Sequence, residues 1–182
     1  PEPAPGERDP GGLKPCATSA PTKAPRRGAS LFQPSTPTTT MSTAAMPHQT
    51  HLSFTIRPRA TLDITADVAA AVRASGVRCG LAHVFVQHTS CSLLITENAD
   101  PDVRRDLETL FARLAPDGDP AYRHDLEGDD DMAAHARSVL SGAGLTIPVG
   151  DGRLLLGTWQ GVFLWEHRTA SHARRVVVTV MG

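Results

Sequence analysis

Proline is spread so unevenly along these 182 residues that only part of the chain is suited to a packed domain: ten of the fifteen prolines fall within residues 1–50. That segment is also rich in Ser, Thr, Ala and Gly and has no sustained apolar period. It cannot bury enough apolar surface to offset the entropy of ordering it, so a disordered Pro-rich extension is expected over residues 1–50. An uninterrupted apolar core of roughly 7–15 residues is missing, which argues against a secretory signal. The acidic residues Glu2, Glu7 and Asp9 argue against a transit peptide. The first residue is Pro, and Met41 or Met46 is expected to be the working start.

Residues 51–182 are enough for one domain, which at that size buries roughly two-thirds of the surface of its unfolded chain. The extension carries five basic and three acidic side chains, net +2; with −1 for the whole chain, the domain is −3. An acidic domain is a poor match for nucleic-acid binding. No apolar run approaches the roughly 18 residues of a membrane span, so no membrane partner is expected. Cys16, Cys79 and Cys91 lie far apart without a CxxC pair, which predicts a reduced cytoplasmic protein with incidental thiols.

Within the domain, Leu52, Phe54 and Ile56 alternate with polar residues, as in a half-buried strand. DITADVAAAVRASG puts Ile64, Val68, Ala71 and Val72 on one helical face, with Gly76 at the C′ position. LAHVFVQ and SLLITE read as strands joined by a hairpin-like turn at His88–Cys91. Asp100 as N-cap and Pro101 at the first helical position open a helix with Val103, Leu107, Leu110, Phe111 and Leu114 on one face. An acidic loop over 116–130 leads to a short helix, about 131–141, with Met132, Ala136, Val139 and Leu140 inward. Four strand signals follow: LTIPV, RLLLG, Trp159–Arg168 and RRVVVTV, the first two joined by a turn at Asp151-Gly152. The pattern predicts an α+β domain with a mostly antiparallel, sandwich-like sheet and two or three helices.

The histidines carry the chemistry. His88, His124, His135 and His167 sit in acid-rich or turn-rich segments, and imidazole both binds divalent metals and moves protons near neutral pH. Asp131 and His135 share a helical face at i, i+4, so the carboxylate is placed to hold the second ring nitrogen of the histidine. Alternatively, GDDD caps a helix N-terminus and His135 is an exposed polar residue. Thr89 and Ser90 follow His88 at a strand end, where they either face a cleft or cap the turn. Period two puts Trp159, Gly161, Phe163, Trp165 and His167 on one strand face and Gln160, Val162, Leu164, Glu166 and Arg168 on the other. Glu166 and Arg168 then suit proton transfer and anion binding, or form a cross-strand ion pair. Arg174 and Arg175 add positive charge nearby, and Glu97 is a further acidic candidate.

HTSCSLLITENADPDVRRDLE (88–108), YRHDLEGDDDMAAH (122–135) and GTWQGVFLWEHR (157–168), followed by RRVVVTV, together resemble the YjbQ-like family, often labelled secondary thiamine-phosphate synthase. The resemblance covers residues 51–182. It implies a YjbQ-like α+β fold, a homotrimer and a divalent metal held by histidines, here His88, His124 and His135. It also implies a transferase activity joining a pyrimidine diphosphate to a thiazole phosphate with release of pyrophosphate. In that reading Glu166, with Glu97, is catalytic, and Gln160, Arg168, Arg175, Thr89 and Ser90 bind a small phosphorylated substrate. Three histidines with an open position suit Zn²⁺, whereas phosphate chemistry suits Mg²⁺ or Mn²⁺. The alternative is a non-catalytic homotrimer that binds a metal or small ligand.

Overall fold

The computed structural model describes residues 46–182. The extension expected over 1–50 therefore lies outside the described residues, apart from 46–50. Its last three residues are already folded, because the first strand, β1, runs His48–Ile56. In chain order the remaining elements are β2 (Thr61–Asp63), α1 (Thr65–Ser75), β3 (Cys79–Val86), β4 (Cys91–Glu97), α2 (Pro101–Leu114), α3 (Asp129–Ser141), β5 (Gly144–Gly150), β6 (Arg153–Leu154), β7 (Gln160–Glu166) and β8 (His172–Met181).

Two antiparallel sheets carry the architecture, one ordered β1-β8-β3-β5-β6 and the other β2-β7-β4. Their facing sides bury Val84, Val86, Leu93, Ile147, Val162, Leu164, Val176 and Val178, together with Val68 and Val72 of α1. Each such side chain contributes roughly 1.5–3 kcal/mol on burial. This is the α+β, antiparallel, three-helix arrangement expected from the sequence.

Local chemistry sets the element ends. Gly76 closes α1 in the left-handed conformation, φ 71°. Asp100 caps α2 through its side chain, which accepts the Asp102 N–H at 2.8 Å. Asp151 and Gly152 have φ of 51° and 75° and join β5 to β6 in a turn that needs positive φ at both positions. Gly80 on β3 has no room for a side chain, since a Cβ there would lie 1.9 Å from the Met181 carbonyl oxygen of β8.

Two expectations are corrected. Residues 88–91 do not form a hairpin turn: β3 pairs with β5 and β8, while β4 pairs with β7, so the segment carries the chain from one sheet to the other. Helix α3 is rotated from the expected face. Val139 and Leu140 are exposed, and Asp130, Asp131, Ala133, Ala134, Arg137 and Ser138 are buried. Small residues let the helix sit close to β4, and its buried charges are all paired. Cys91 is a buried free thiol, and Cys16 lies outside the described residues.

Strand β7 shows the expected alternation, yet both of its faces are covered. Val162 and Leu164 point into the core. Trp165 and Phe163 meet α2 on the other side, where Phe111 packs 4.9 Å from the Trp165 ring and the Arg104 guanidinium lies 4.9 Å from that of Phe163. Among the described residues, no helix is long and apolar enough to cross a membrane.

Candidate functional site

The first turn of α3 is held against the end of β7 by one guanidinium. Arg168 donates to Asp130 (Nε–Oδ2 2.9 Å), to Asp131 Oδ1 and to the Glu127 carbonyl at 2.9 Å. The Thr169 N–H adds a 2.7 Å bond to Asp130 Oδ2. Burial alone would raise the Asp130 pKa, but the bonds from Arg168 and Thr169 outweigh it and bring the carboxyl down to about 2. Arg168 thus positions Asp131 and has no free face for a phosphate, contrary to the substrate-binding role expected of it.

That anchoring leaves the other oxygen of Asp131 aimed at two imidazoles. Oδ2 lies 2.8 Å from His124 Nε2 and 3.4 Å from His135 Nε2. It is buried, and both imidazoles stand within ion-pair distance of it. The His124 and His135 rings are 5.4 Å apart. His135 Nδ1 lies 3.0 Å from the Thr89 carbonyl oxygen, an acceptor that places a proton on Nδ1 and turns Nε2 inward. All three donor atoms lie within 4.8 Å of one another. Tetrahedral ligands at ~2.0–2.2 Å from an ion stand about 3.3 Å apart, so the spacing suits a single first-row divalent cation. A cation held between these three atoms would take an imidazole lone pair from each histidine and one from the carboxylate. A cavity of about 250 Å³, lined by Tyr122, His124, Asp125 and Gly128 among others, opens beside the cluster.

The structure therefore brings together His124 and His135 but not His88. Its Nε2 accepts the Arg175 N–H at 3.0 Å, and its Nδ1 lies 3.5 Å from Arg174 Nη1. Burial, then Arg174 and Arg175, lower its pKa. The lone pair that would bind a metal is already used by the backbone. Asp131, not His88, joins the two imidazoles in the group that could hold a metal ion. The i, i+4 spacing with His135 pointed to Asp131, but as a residue orienting the imidazole, a task that the Thr89 carbonyl performs.

Glu166 is also placed differently from expectation. It is fully buried and bound by Arg174 through two 2.6 Å hydrogen bonds, and Oε1 also accepts the Arg168 N–H at 2.9 Å. Arg174 alternates inward on β8 just as Glu166 does on β7, so the two meet inside the sandwich. Ser90 Oγ completes this cluster at 3.1 Å from Arg174 Nη2. With its oxygens occupied, Glu166 is not free to exchange protons with a substrate. Glu97 and Gln160 face each other in the β4–β7 register at the far end of β7, about 20 Å of strand from Glu166. The Gln160 side chain accepts the Gly157 N–H at 2.9 Å and so closes a local turn. Arg175 is exposed on the outer side of β8.

Deeper in, Ser92 Oγ lies 2.8 Å from His167 Nε2, both residues fully buried, and His167 packs 4.8 Å from Trp165. Burial, followed by Arg59 and Arg174, depresses the His167 pKa to about 3, so this imidazole is neutral at physiological pH. Sequence reasoning missed Ser92 and left Arg174 as a mere addition of charge. Period two on β8 would have placed Arg174 among inward valines, the one available signal.

A chain with this fold and this cluster of side chains has clear relatives. Residues 50–182 match the family model described as UPF0047 protein YjbQ-like. The chain is 51% identical over 135 residues to a UPF0047 protein of Synechocystis sp., covering 74% of this chain and 92% of that protein. It is 48% identical over 106 residues to the UPF0047 protein YjbQ of Escherichia coli O157:H7, covering 58% and 76%. Among solved structures, a conserved hypothetical protein of Thermus thermophilus superposes with a TM-score of 0.65 at 39% identity, covering 72% of this chain and 99% of that one. An uncharacterised YjbQ/UPF0047 protein of Clostridium acetobutylicum gives 0.64 at 35%, covering 71% and 99%. The chain belongs to the YjbQ/UPF0047 family.

Proposed function

We propose that this protein is a metal-assisted enzyme whose His124–Asp131–His135 centre holds a divalent cation and acts on a small phosphorylated or diphosphorylated molecule. The observation that carries the reading is the buried Asp131 Oδ2, which faces two Nε2 atoms at 2.8 and 3.4 Å, with all three donor atoms within 4.8 Å of one another. Two imidazoles and one carboxylate favour Zn²⁺ or another first-row ion over Mg²⁺, and three protein ligands leave a coordination position open. A bound ion would polarise a phosphoryl oxygen and offset negative charge as a diphosphate departs. The protein's own part is positional: Arg168 orients Asp131, the Thr89 carbonyl sets the tautomer of His135, and the cavity beside His124 admits the substrate. Joining a pyrimidine diphosphate to a thiazole phosphate, as a side activity, fits this chemistry. The proposal includes assembly as a homotrimer. Leu110 and Leu114 of α2 are exposed, a stripe that self-association would cover.

The test is elemental analysis of purified protein, compared with Asp131→Asn and His135→Ala. Close to one ion per chain is expected, with at least a tenfold loss of affinity in each variant. Full metal content in Asp131→Asn would refute the ligand set. Turnover of the two thiamine precursors is then measured with and without chelator. A non-catalytic metal-binding role is favoured by one observation, the sequestered Glu166, and metal loading without turnover is the result that would establish it.

A further inference from the structure

Four arginines line a single cavity on the other side of the small sheet. Its volume is about 480 Å³, and its walls include Arg57, Arg59, Arg104, Arg105, Glu108 and Trp165. The residues come mainly from two places, the chain between β1 and β2 and the N-terminal half of α2. None of them belongs to the His124–Asp131–His135 centre. Like charges converge here although the described residues as a whole carry −3.

The pairing of these charges decides what the cavity can take. Glu108, the acid in the wall, has both oxygens engaged, by Arg137 Nη1 at 3.0 Å and Trp165 Nε1 at 3.1 Å. Arg59 is held through Nη2 by Asp117 at 2.6 Å. Its buried Nη1 has no hydrogen-bond acceptor, Glu108 Oε1 lying 3.7 Å away. Arg105 pairs with Asp102. Arg104 donates to the Glu97 carbonyl at 2.9 Å and stacks on Phe163, but meets no carboxylate among the described residues. Arg57 forms no ion pair among the described residues. Counting Asp102, Asp117 and Arg137 with the wall, the cluster keeps two uncompensated positive charges, contributed by Arg57 and Arg104. The start of α2, where Pro101 lines the cavity, adds the positive end of a 14-residue helix. Arg59 sits at φ 50°, a conformation unfavourable for a residue with a side chain, and its N–H is fixed by the Arg168 carbonyl at 3.1 Å. The backbone is thus held in a strained form that presents this arginine, a situation often found at ligand clamps.

We propose that this cavity is an anion-binding site for the phosphate or diphosphate group of a small molecule, separate from the metal centre and independent of any metal. Guanidinium forks match phosphate oxygens two at a time, and the volume lies within the ~300–1,000 Å³ usual for small-ligand sites. The aliphatic and aromatic parts of Arg104 and Trp165 supply a wall for the organic portion of the ligand.

Trp165 lies in the wall, and Trp159, the other tryptophan, is exposed, so Trp159→Phe leaves one reporter. Inorganic pyrophosphate is titrated into this variant in the presence of EDTA, with fluorescence and calorimetry as readouts. Saturable binding of about one pyrophosphate per chain is expected, weakening as salt rises. Arg57→Gln combined with Arg104→Gln is expected to weaken it by at least about tenfold, with unchanged far-UV circular dichroism. Asp131→Asn, which removes a metal ligand, is expected to leave it unaltered, and this separates failure here from failure of the metal reading. No saturable binding, or unchanged affinity in the double variant, would overturn the proposal. So would succinate binding as tightly as pyrophosphate, since a site for carboxylates is a different site.

Discussion

Replacing Arg174 with methionine removes the counter-charge from a carboxylate that solvent does not reach. Glu166 is 0% exposed and Arg174 4%, and two 2.6 Å bonds join them. After the substitution, of the hydrogen bonds to Glu166 only the Arg168 N–H at 2.9 Å remains. Breaking a buried pair on one side costs about 3–5 kcal/mol, because the remaining charge has lost its partner but not its burial. A domain of this size is stable by about 5–15 kcal/mol, so the variant should be folded but much weakened. Glu166→Met with Arg174→Met removes both charges and keeps the volume; its cost is expected to be below about 1 kcal/mol. Urea unfolding of the two single variants and the double, with constant m-values, measures the cycle. A cost below about 1 kcal/mol for Arg174→Met alone, or a double variant as weak as the single, would show that the pair is solvated and that Glu166 is available for chemistry after all.

Acid should act through His167. Its pKa is about 3 in the folded protein against 6.5 for an unperturbed imidazole, so between these values the unfolded chain binds the extra proton and stability falls as pH is lowered. One such group contributes at most about 1.4 kcal/mol per pH unit; from pH 7 to pH 5 the parent should lose on the order of 2 kcal/mol more than His167→Gln, and parallel urea-derived curves would contradict this. At the start of α2, Asp100→Ala removes the cap on the Asp102 N–H and should cost about 1 kcal/mol, read as a lowered urea midpoint; an unchanged midpoint would mean that water replaces the cap.

What could be read along the chain was what neighbours in sequence decide. Gly76, the Asp100-Pro101 pair and Asp151-Gly152 each act within a few residues, through a left-handed conformation, a capping oxygen or a tight turn, and each was legible. The alternation in β1 and β7 also fixed which side chains share a face. Motif order was enough to indicate the family. The face of α3 was misjudged because its apolar period, Met132, Ala136, Val139 and Leu140, competes with a second pattern of charges. Asp130, Asp131 and Arg137 are turned inward because Arg168, Glu108 and Asp117 wait for them there, on segments distant in sequence.

The sequence by itself thus determined most of the elements, the caps of α1 and α2, and the inward sides of β1 and β7. The tertiary structure alone decided the partners. Asp131 stands where His88 was expected because a backbone N–H from β8 claims the ring of His88, while a carbonyl from the β3–β4 crossing orients that of His135. Glu166 becomes an internal ion pair because β8 brings Arg174 opposite it. Hydrogen bonds and charge pairs have short reach, so a side chain's role follows from what folding places within about 3 Å of it, and spacing along the chain does not encode that distance.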